Sequence, residues 1–293
     1  MKDRLPFFGL RDEPFRLTPD IEYFYPSESH KETLELLNYF LKDGDGFFML
    51  IGYPGTGKTT LIRKFLEGLD ENFEVALIVT PMLKPIELIK TILNDLGIEP
   101  RNSDLSENLR IFQDYLIKLA QDNKKLLLII DEAQSLPIES LEQIRLLSNI
   151  ELQDSKPLYI VLSGQPELEK MVKNQIRQLN QRITIRCTLK AFNKQETDEY
   201  VNFRAAKAGG SIKMTRYAQS LLHRVSKGIP RNINSIMKRA MIISYSKENK
   251  AILYSDIKQA AHSLDIEHKN GLKSLIVVIF FVIILVMFFV YVG

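Results

Sequence analysis

One eight-residue segment restricts the fold of this chain more than any other. Residues 52–59 read Gly-Tyr-Pro-Gly-Thr-Gly-Lys-Thr, which fits the pattern G-x-x-x-x-G-K-[ST] without deviation. An apolar run at residues 47–51 precedes the segment and a helical pattern follows it, which is the context of a phosphate-binding loop. Glycines let backbone N–H groups turn inward around a phosphate, and the N-terminus of the following helix adds its positive dipole end. The segment therefore predicts a nucleotide-binding α/β domain.

Short apolar runs alternate with amphipathic stretches between residues 46 and 191. The predicted strands are residues 47–51, 75–79, 126–130, 158–162 and 183–189. The predicted helices are residues 58–69, 85–96, 106–121 and 140–150. Strands that alternate with helices imply a parallel sheet covered by helices on both faces. Residues 46–191 are therefore predicted to form an α/β three-layer sandwich, the core domain of the chain.

The residues on either side of this core follow other patterns. Residues 1–45 combine an irregular, aromatic-rich segment with a helix near residues 31–41, and we assign them to the same domain. Residues 192–266 lack a strand signal and predict helices, which makes them a small α-helical lid domain. Residues 267–273 form a short polar linker.

Capping residues mark the helices of the lid domain. Asn193 and Glu196 form a capping box that opens the first helix, and Thr215 caps the second. Gly228 and Pro230 are expected to close that second helix. A third helix is expected over about residues 232–247, followed by a fourth that starts at residues 255–256.

The C-terminal end is strongly apolar. Residues 275–292 are eighteen consecutive apolar or aromatic residues without a charge, close to the roughly 20 that cross the hydrocarbon core of a bilayer. Lys269 and Lys273 flank the near side, and the positive-inside rule then leaves the large N-terminal part in the cytoplasm. We expect one transmembrane helix at residues 274–292 that acts as a tail anchor.

Charge and cysteine content narrow the function classes. The formal net charge is +3 and is spread along the chain, whereas a dedicated nucleic-acid binder concentrates positive charge on one surface. Nucleic acid is therefore not the expected partner. The single cysteine, Cys187, cannot form an intramolecular disulfide, which indicates a reducing compartment.

The phosphate-binding loop supplies the first set of candidate binding residues. Lys58 can reach the β- and γ-phosphates of ATP, and the hydroxyl of Thr59 can ligate Mg²⁺. The predicted nucleotide-binding residues of the loop are Gly52, Pro54, Gly55, Thr56, Gly57, Lys58, Thr59 and Thr60.

Two carboxylates follow a fully apolar strand. Residues 126–130 are apolar and end in Asp131 and Glu132. A buried parallel strand delivers its C-terminal end to the crevice where nucleotides bind. Asp131 there can hold Mg²⁺ through its water shell, and Glu132 can orient and deprotonate the attacking water. The alternative reading is the acidic first turn of a helix.

The next apolar strand ends in polar residues that can act as a γ-phosphate sensor. Gln165 is long enough to hydrogen-bond the phosphate or the attacking water, and Ser163 is its rival. An ordinary turn at the end of the strand is the third reading.

Three arginines are candidates by position. Arg182 precedes the last predicted strand and can reach the γ-phosphate of a neighbouring subunit, with Arg177 as the alternative. Arg231 starts a helix of the lid domain and can fold over a bound nucleotide. A solvated surface arginine is the competing reading for each.

Together these segments resemble the ExeA/GspA-type ATPases of bacterial general secretion and pilus-assembly systems. The resemblance covers about residues 5–265. It rests on residues 7–10, 14–15, 19–20, 24–25 and 30, on the P-loop, and on residues 131–134, 164–168, 181–183 and 230–234. It implies an AAA+ fold of the branch that includes origin-recognition ATPases, with Mg²⁺-dependent ATP hydrolysis. By the same likeness Gln165 is the first sensor, Arg182 the arginine finger and Arg231 the second sensor.

The resemblance also implies partners and a location. Such a chain is expected to work as a homo-oligomer, or with a membrane partner, at the bacterial inner membrane, with its ATPase domain in the cytoplasm. Family members often continue beyond the membrane helix into a periplasmic peptidoglycan-binding domain, whereas this sequence ends at Gly293. The leading hypothesis is an ATPase that drives or switches assembly of a secretion or envelope complex. The alternatives are a DNA-handling AAA+ protein of the transposition-helper or origin-loader type and an exopolysaccharide- or exosortase-associated ATPase.

Overall fold

The apolar runs of the first 192 residues become the strands of one sheet. The computed structural model describes residues 4–43, 46–79, 82–101, 104–150 and 156–266. The strands are β1 (Phe47–Gly52), β2 (Phe73–Ile78), β3 (Lys125–Ile130), β4 (Leu158–Gly164), β5 (Ile183–Leu189), β6 (Lys213–Met214) and β7 (Ala251–Ile252). The helices are α1 (Arg4–Phe7), α2 (Glu28–Asp43), α3 (Lys58–Glu67), α4 (Pro85–Asp95), α5 (Leu105–Gln121), α6 (Ile138–Leu147), α7 (Pro166–Gln175), α8 (Arg177–Arg182), α9 (Lys194–Lys207), α10 (Arg216–Ser226), α11 (Pro230–Ser246) and α12 (Tyr254–Ser263).

The chain divides into two units. The P-loop unit consists of residues 18–192 and 229–231. The described residues of the helical unit are 4–17, 193–228 and 232–266.

The P-loop unit contains a five-stranded sheet in the order β2-β3-β4-β1-β5. Every pairing in it is parallel. All of β1 and nearly all of β3 and β4 are buried, which explains why these strands are continuous apolar runs. The edge strand β5 instead alternates buried and more exposed residues. The predicted α/β P-loop fold is confirmed.

Helices cover both faces of the sheet. Phe47, Met49 and Ile51 lie in a core cluster with apolar residues of α4, α5, α6 and α7. Phe48 and Leu50 lie in a second cluster with apolar residues of α2 and α3. Successive side chains of a strand point to opposite faces, so β1 takes part in both cores and the unit has three layers.

The helical unit bears out the predicted capping residues. The side chain of Asn193 accepts from the backbone N–H of Glu196 at 2.9 Å, and the carboxylate of Glu196 accepts from the N–H of Asn193 at 2.9 Å. Thr215 Oγ1 accepts from the N–H of Ala218 at 3.3 Å at the start of α10. These three bonds satisfy backbone N–H groups at the starts of the helices.

The N-terminal segment belongs to the helical unit as far as Leu17, whereas we had assigned residues 1–45 to the core domain. The backbone N–H of Arg11 donates to the carbonyl of Ala208 at 2.8 Å. Arg204, which is buried, donates from Nε to the carbonyl of Pro14. The irregular segment thus supplies carbonyls to a buried guanidinium far along the chain, a contact with no local sequence signal.

Three further features differ from the prediction. The helical unit contains a short parallel pair, β6 and β7, whose two-residue length leaves no alternating pattern. Helices α7 and α8 lie between β4 and β5, where we had predicted none. Pro230 begins α11 instead of closing the preceding helix, a position where proline's missing N–H costs no hydrogen bond.

The predicted linker (residues 267–273) and transmembrane helix (residues 274–292) lie outside the described residues. Within the part of the chain that the structure does describe, no helix has the length and apolar character needed to span a bilayer.

Candidate functional site

The P-loop connects β1 to α3 and is shaped by its last glycine. Gly57 has a φ of 101°, in the left-handed region, and caps the N-terminus of α3. A Cβ at this position would lie 3.1 Å from Nε2 of His30, so backbone conformation and space both favour glycine. Thr56 stabilises the turn by donating from Oγ1 to the carbonyl of Tyr53 at 2.8 Å. Pro54 lies on this loop, and Thr59 and Thr60 lie in the first turn of α3.

Lys58 is the buried cation of the site. Its Nζ donates to the carbonyl of Gly52, the first residue of the loop, at 2.9 Å. Burial lowers the pKa of Lys58, and the nearby charge of Arg231 lowers it further, while Glu132 and Asp131 act in the opposite direction. An ammonium held this way is stabilised further when an anion binds beside it.

The ends of three strands meet at Asp131. Strand β4 lies between β1 and β3, with Ser163 opposite Leu50 and Leu162 opposite Ile130. Ser163 Oγ donates to Oδ1 of Asp131 at 2.7 Å, and Thr59 Oγ1 donates to Oδ2 at 2.5 Å. The predicted metal-binding pair, Thr59 and Asp131, is therefore in direct contact.

Glu132 is held by amide groups. Its backbone has φ 53° and ψ 36°, in the left-handed region. Oε2 accepts from Nε2 of Gln134 at 2.6 Å and from Nε2 of Gln165 at 3.1 Å. Burial alone would raise the pKa of Glu132, but these hydrogen bonds and the charges of Lys58 and Arg231 together lower it below its usual value. The carboxylate is thus ionised at neutral pH.

Both sensor candidates lie at the site, each with its own partner. Ser163 contacts Asp131, and Gln165 contacts Glu132. These contacts place both residues beside the carboxylates, and the assignment of Gln165 as the phosphate sensor stays a prediction.

The arginines differ in their surroundings. The backbone N–H of Arg231 donates to the carbonyl of Gly55 at 3.3 Å, which brings Arg231 to the P-loop. Arg182 instead donates from Nη1 to Oγ of Ser148, just after α6, at 2.7 Å. Arg177 is the first residue of α8. Arg231 thus lies at the P-loop, whereas the side chain of Arg182 contacts Ser148, the residue that follows α6.

His30 was missed as a site residue. It is buried, its Nδ1 lies 2.5 Å from Oγ of Ser27, and its Nε2 faces Gly57. Its ring packs on Phe24 and Phe192 with centroid separations of 5.4 and 5.9 Å. Position 30 is among the residues that carry the family resemblance, but the resemblance gives it no role at the site.

Known proteins share this sequence pattern and fold. Residues 41–172 match a family described as an AAA domain. General secretion pathway protein A of Aeromonas hydrophila is 41% identical over 262 residues, which cover 88% of this chain and 48% of that protein. The chain thus spans about half the length of this curated relative.

Two solved structures of Aeropyrum pernix proteins have the same fold. The ORC2 protein in ADPNP-ADP complexes matches with a TM-score of 0.60 and 18% identity, covering 83% of this chain and 68% of ORC2. The ORC1 protein in complex with DNA matches with a TM-score of 0.62 and 14% identity, covering 86% and 69% respectively. These findings confirm the resemblance drawn from the motifs: the chain is an AAA-family ATPase related to general secretion pathway protein A.

Proposed function

We propose that this chain binds ATP and Mg²⁺ at the P-loop and hydrolyses the γ-phosphate with Glu132 as the base. The observation that carries the proposal is the contact between Thr59 and Asp131, 2.5 Å apart, with ionised Glu132 next in sequence. A P-loop hydroxyl beside a carboxylate at the end of a neighbouring strand is the arrangement that P-loop ATPases use to hold their metal.

The donor set fits Mg²⁺. A hydroxyl and a carboxylate are hard oxygen ligands, and Mg²⁺ combines one or two such protein ligands with waters and phosphate oxygens. When bound, the ion neutralises charge that develops on the phosphate oxygens. Thr59 and Asp131 would hold it, and Ser163 orients Asp131 by its hydrogen bond at 2.7 Å.

The remaining groups act on the phosphate and the water. Lys58 exchanges its bond to the carbonyl of Gly52 for the β- and γ-phosphates, since an anion compensates its burial better than a carbonyl does. Arg231 adds positive charge at the loop, as its effect on the pKa values of Lys58 and Glu132 indicates. Gln165 contacts Glu132 directly and so can position the attacking water together with it.

Aromatic side chains form a wall suited to the adenine base. His30 faces Gly57 of the P-loop and contacts Phe192, which also stacks edge-on against Tyr25 with centroids 5.6 Å apart. This cluster gives the aromatic N-terminal segment a role in nucleotide binding.

Two matched pairs of variants test this function in the full chain. Lys58→Ala should reduce ATP binding at least about 100-fold, because a charge-assisted phosphate contact and its burial are lost together. Its control is Lys64→Ala, which removes an exposed lysine from the same helix. Glu132→Gln should bind ATP normally but turn it over at least about 100-fold more slowly, with exposed Glu139→Gln as its control. Turnover by Glu132→Gln at the wild-type rate would exclude Glu132 as the base.

The proposed cellular role rests on the Aeromonas hydrophila relative and on the C-terminal residues of this chain. The name of that relative, general secretion pathway protein A, supports a role in assembling a bacterial envelope or secretion complex. The apolar residues 275–292 support anchoring in the inner membrane. Replacing Ile283, Ile284 and Leu285 together by arginine, at about 2.5–3.5 kcal/mol each near the centre of a span, should release the protein from membranes on alkaline extraction. Full retention in the membrane would overturn the proposed anchor.

Oligomerisation is the final part of the proposal. Arg182 acts on the nucleotide of a neighbouring copy, so specific ATPase activity should rise with protein concentration in the wild type and stay low in Arg182→Ala. A rate per molecule that does not change with concentration contradicts this assignment.

A further inference from the structure

Gln134 bridges two strand ends at the site, and neither the motifs nor the comparisons give it a role. It lies in the single 3-10 turn that follows β3, two residues after Glu132. Its amide nitrogen donates to Oε2 of Glu132 at 2.6 Å, and its amide oxygen accepts from the backbone N–H of Gln165 at 3.0 Å. Both ends of the side chain are therefore engaged, which fixes the orientation of the amide.

We propose that Gln134 is a positioning residue that aims the Glu132 carboxylate by clamping it to the end of β4, with a hydrogen bond at each end of its side-chain amide. The inference rests on the proposed function, in which Glu132 is the base. It assigns to Gln134 a part in ATP hydrolysis that is distinct from nucleotide binding.

The geometry around Glu132 supports a clamp in three ways. Glu132 has left-handed backbone angles, so the chain turns sharply between β3 and Gln134. The bond from Gln134 to the carboxylate is shorter than the one from Gln165, 2.6 against 3.1 Å. The Gln134 bond is therefore the stronger of the two contacts. When Gln165 turns toward a γ-phosphate, Gln134 still holds Glu132.

Gly164 leaves room for the clamp. A Cβ at Gly164 would lie 2.8 Å from Oε1 of Gln134 and 2.7 Å from Cδ2 of Leu168. The last position of β4 therefore has to be glycine for the Gln134 amide to reach the backbone of Gln165. This requirement explains a glycine in a strand that is otherwise packed with side chains.

The two neighbouring carboxylates have separate supports. Asp131 accepts from the hydroxyls of Thr59 and Ser163, whereas Glu132 accepts from the side-chain amides of Gln134 and Gln165. These four side-chain donors divide between the two carboxylates without overlap. Removing Gln134 should thus affect Glu132 and spare the metal pair.

The test uses substitutions at Gln134 in the full chain. Gln134→Ala should lower kcat about 10-fold, the effect of losing one well-placed hydrogen bond to a charged group, with ATP affinity and KM unchanged within about twofold. Gln134→Glu has the same size but loses the amide donor and places a second carboxylate against Glu132, so its kcat should fall further. Gln134→Asn keeps an amide and should recover part of the rate.

A second measurement does not depend on turnover. The carboxyl carbon of Glu132, assigned by its loss in Glu132→Gln, can be observed by ¹³C NMR in glutamate-labelled protein. Its chemical shift at neutral pH should change in Gln134→Ala, which loses the hydrogen bond to the carboxylate. The shift should stay at the wild-type value in the control Gln121→Ala, which removes an exposed glutamine at the end of α5.

The outcomes separate the two proposals. An unchanged kcat and an unchanged Glu132 carboxyl signal in Gln134→Ala, in an enzyme that hydrolyses ATP, overturn the clamp alone. A parallel loss of ATP affinity and kcat in Gln134→Ala also overturns it, since that indicates a structural role. A wild-type protein without turnover overturns the proposed function, and the carboxyl signal then still decides whether Gln134 contacts Glu132.

Discussion

Both units of this chain bury polar side chains, but they use them differently. In the P-loop unit Lys58, Asp131 and Ser163 are buried at the carboxyl edge of the sheet and hold groups suited to phosphate and metal. In the helical unit the buried Arg204 and Asn234 bind backbone carbonyls of the N-terminal segment. One set is arranged around a ligand site and the other holds chain segments together. Substitutions of the buried polar residues in the P-loop unit should therefore lower ATPase activity. Substitutions of those in the helical unit should lower the free energy of unfolding.

The helical network is continuous. Arg204 donates from Nη1 to the hydroxyl of Tyr200 at 3.0 Å, and that hydroxyl donates to Oδ1 of Asn234 at 2.8 Å. The amide nitrogen of Asn234 donates to the carbonyl of Arg16 at 3.1 Å. Burial raises the pKa of Tyr200, so the hydroxyl keeps its proton and remains a donor at neutral pH. The network thus ties residues 14–16 to α9 and α11.

The largest expected effect comes from Asp131→Ala in the P-loop unit. The change removes the carboxylate that Thr59 and Ser163 contact, so we expect ATP hydrolysis to fall about 1,000-fold, or about 4 kcal/mol in activation free energy. The free energy of unfolding should change by less than about 1 kcal/mol, because the two hydroxyls can turn to other acceptors. Steady-state hydrolysis and chemical denaturation of the same samples measure both quantities.

Asp114→Ala is the matched control, since it removes an exposed aspartate from α5 of the same unit. Its activity and stability should equal those of the wild type. A large loss of stability in Asp131→Ala would contradict the idea that the buried polar residues of the P-loop unit serve the ligand site rather than the stability of the fold.

The next effect is on stability and comes from Arg204→Ala. The substitution leaves the carbonyl of Pro14 and the hydroxyl of Tyr200 without this donor, so the free energy of unfolding should fall by about 2 kcal/mol. ATP should stabilise this variant by the same increment as the wild type, about 2.7 kcal/mol at a concentration 100 times the Kd. The chain contains no tryptophan, so unfolding is best followed by circular dichroism.

Arg224→Ala, an exposed arginine on α10, serves as the control and should leave stability unchanged. A smaller ATP-induced stabilisation in Arg204→Ala than in the wild type would show that the network also supports the nucleotide site.

The same contrast separates what the sequence could and could not predict. The P-loop, the strand ending in Asp131 and Glu132, and the capping box at Asn193 are local patterns, and each predicts its structure from neighbouring residues alone. The contact of Arg204 with Pro14 joins residues 190 positions apart, and no local pattern encodes such a pair.

Site residues that act through neighbouring strands were also beyond local reasoning. Gln134 reaches the backbone of Gln165 only because β3 and β4 pair in register, and His30 faces Gly57 only through the packing of α2. Residues that bind phosphate can be recognised from a local sequence pattern. Residues that position other side chains depend on contacts between distant parts of the chain.

The smallest expected effect is at the helix cap of the helical unit. Asn193→Ala removes the acceptor for the N–H of Glu196 at the start of α9, which should lower the free energy of unfolding by about 1 kcal/mol. Asn193→Asp keeps an acceptor and should retain stability, while Asn202→Ala, within α9, should not destabilise because alanine favours helix. Denaturation measures all three, and each should hydrolyse ATP at the wild-type rate. If Asn193→Ala instead reduced hydrolysis while leaving stability intact, the helical unit would contribute to catalysis through this cap, and the division between an active unit and a structural one would fail at its weakest contact.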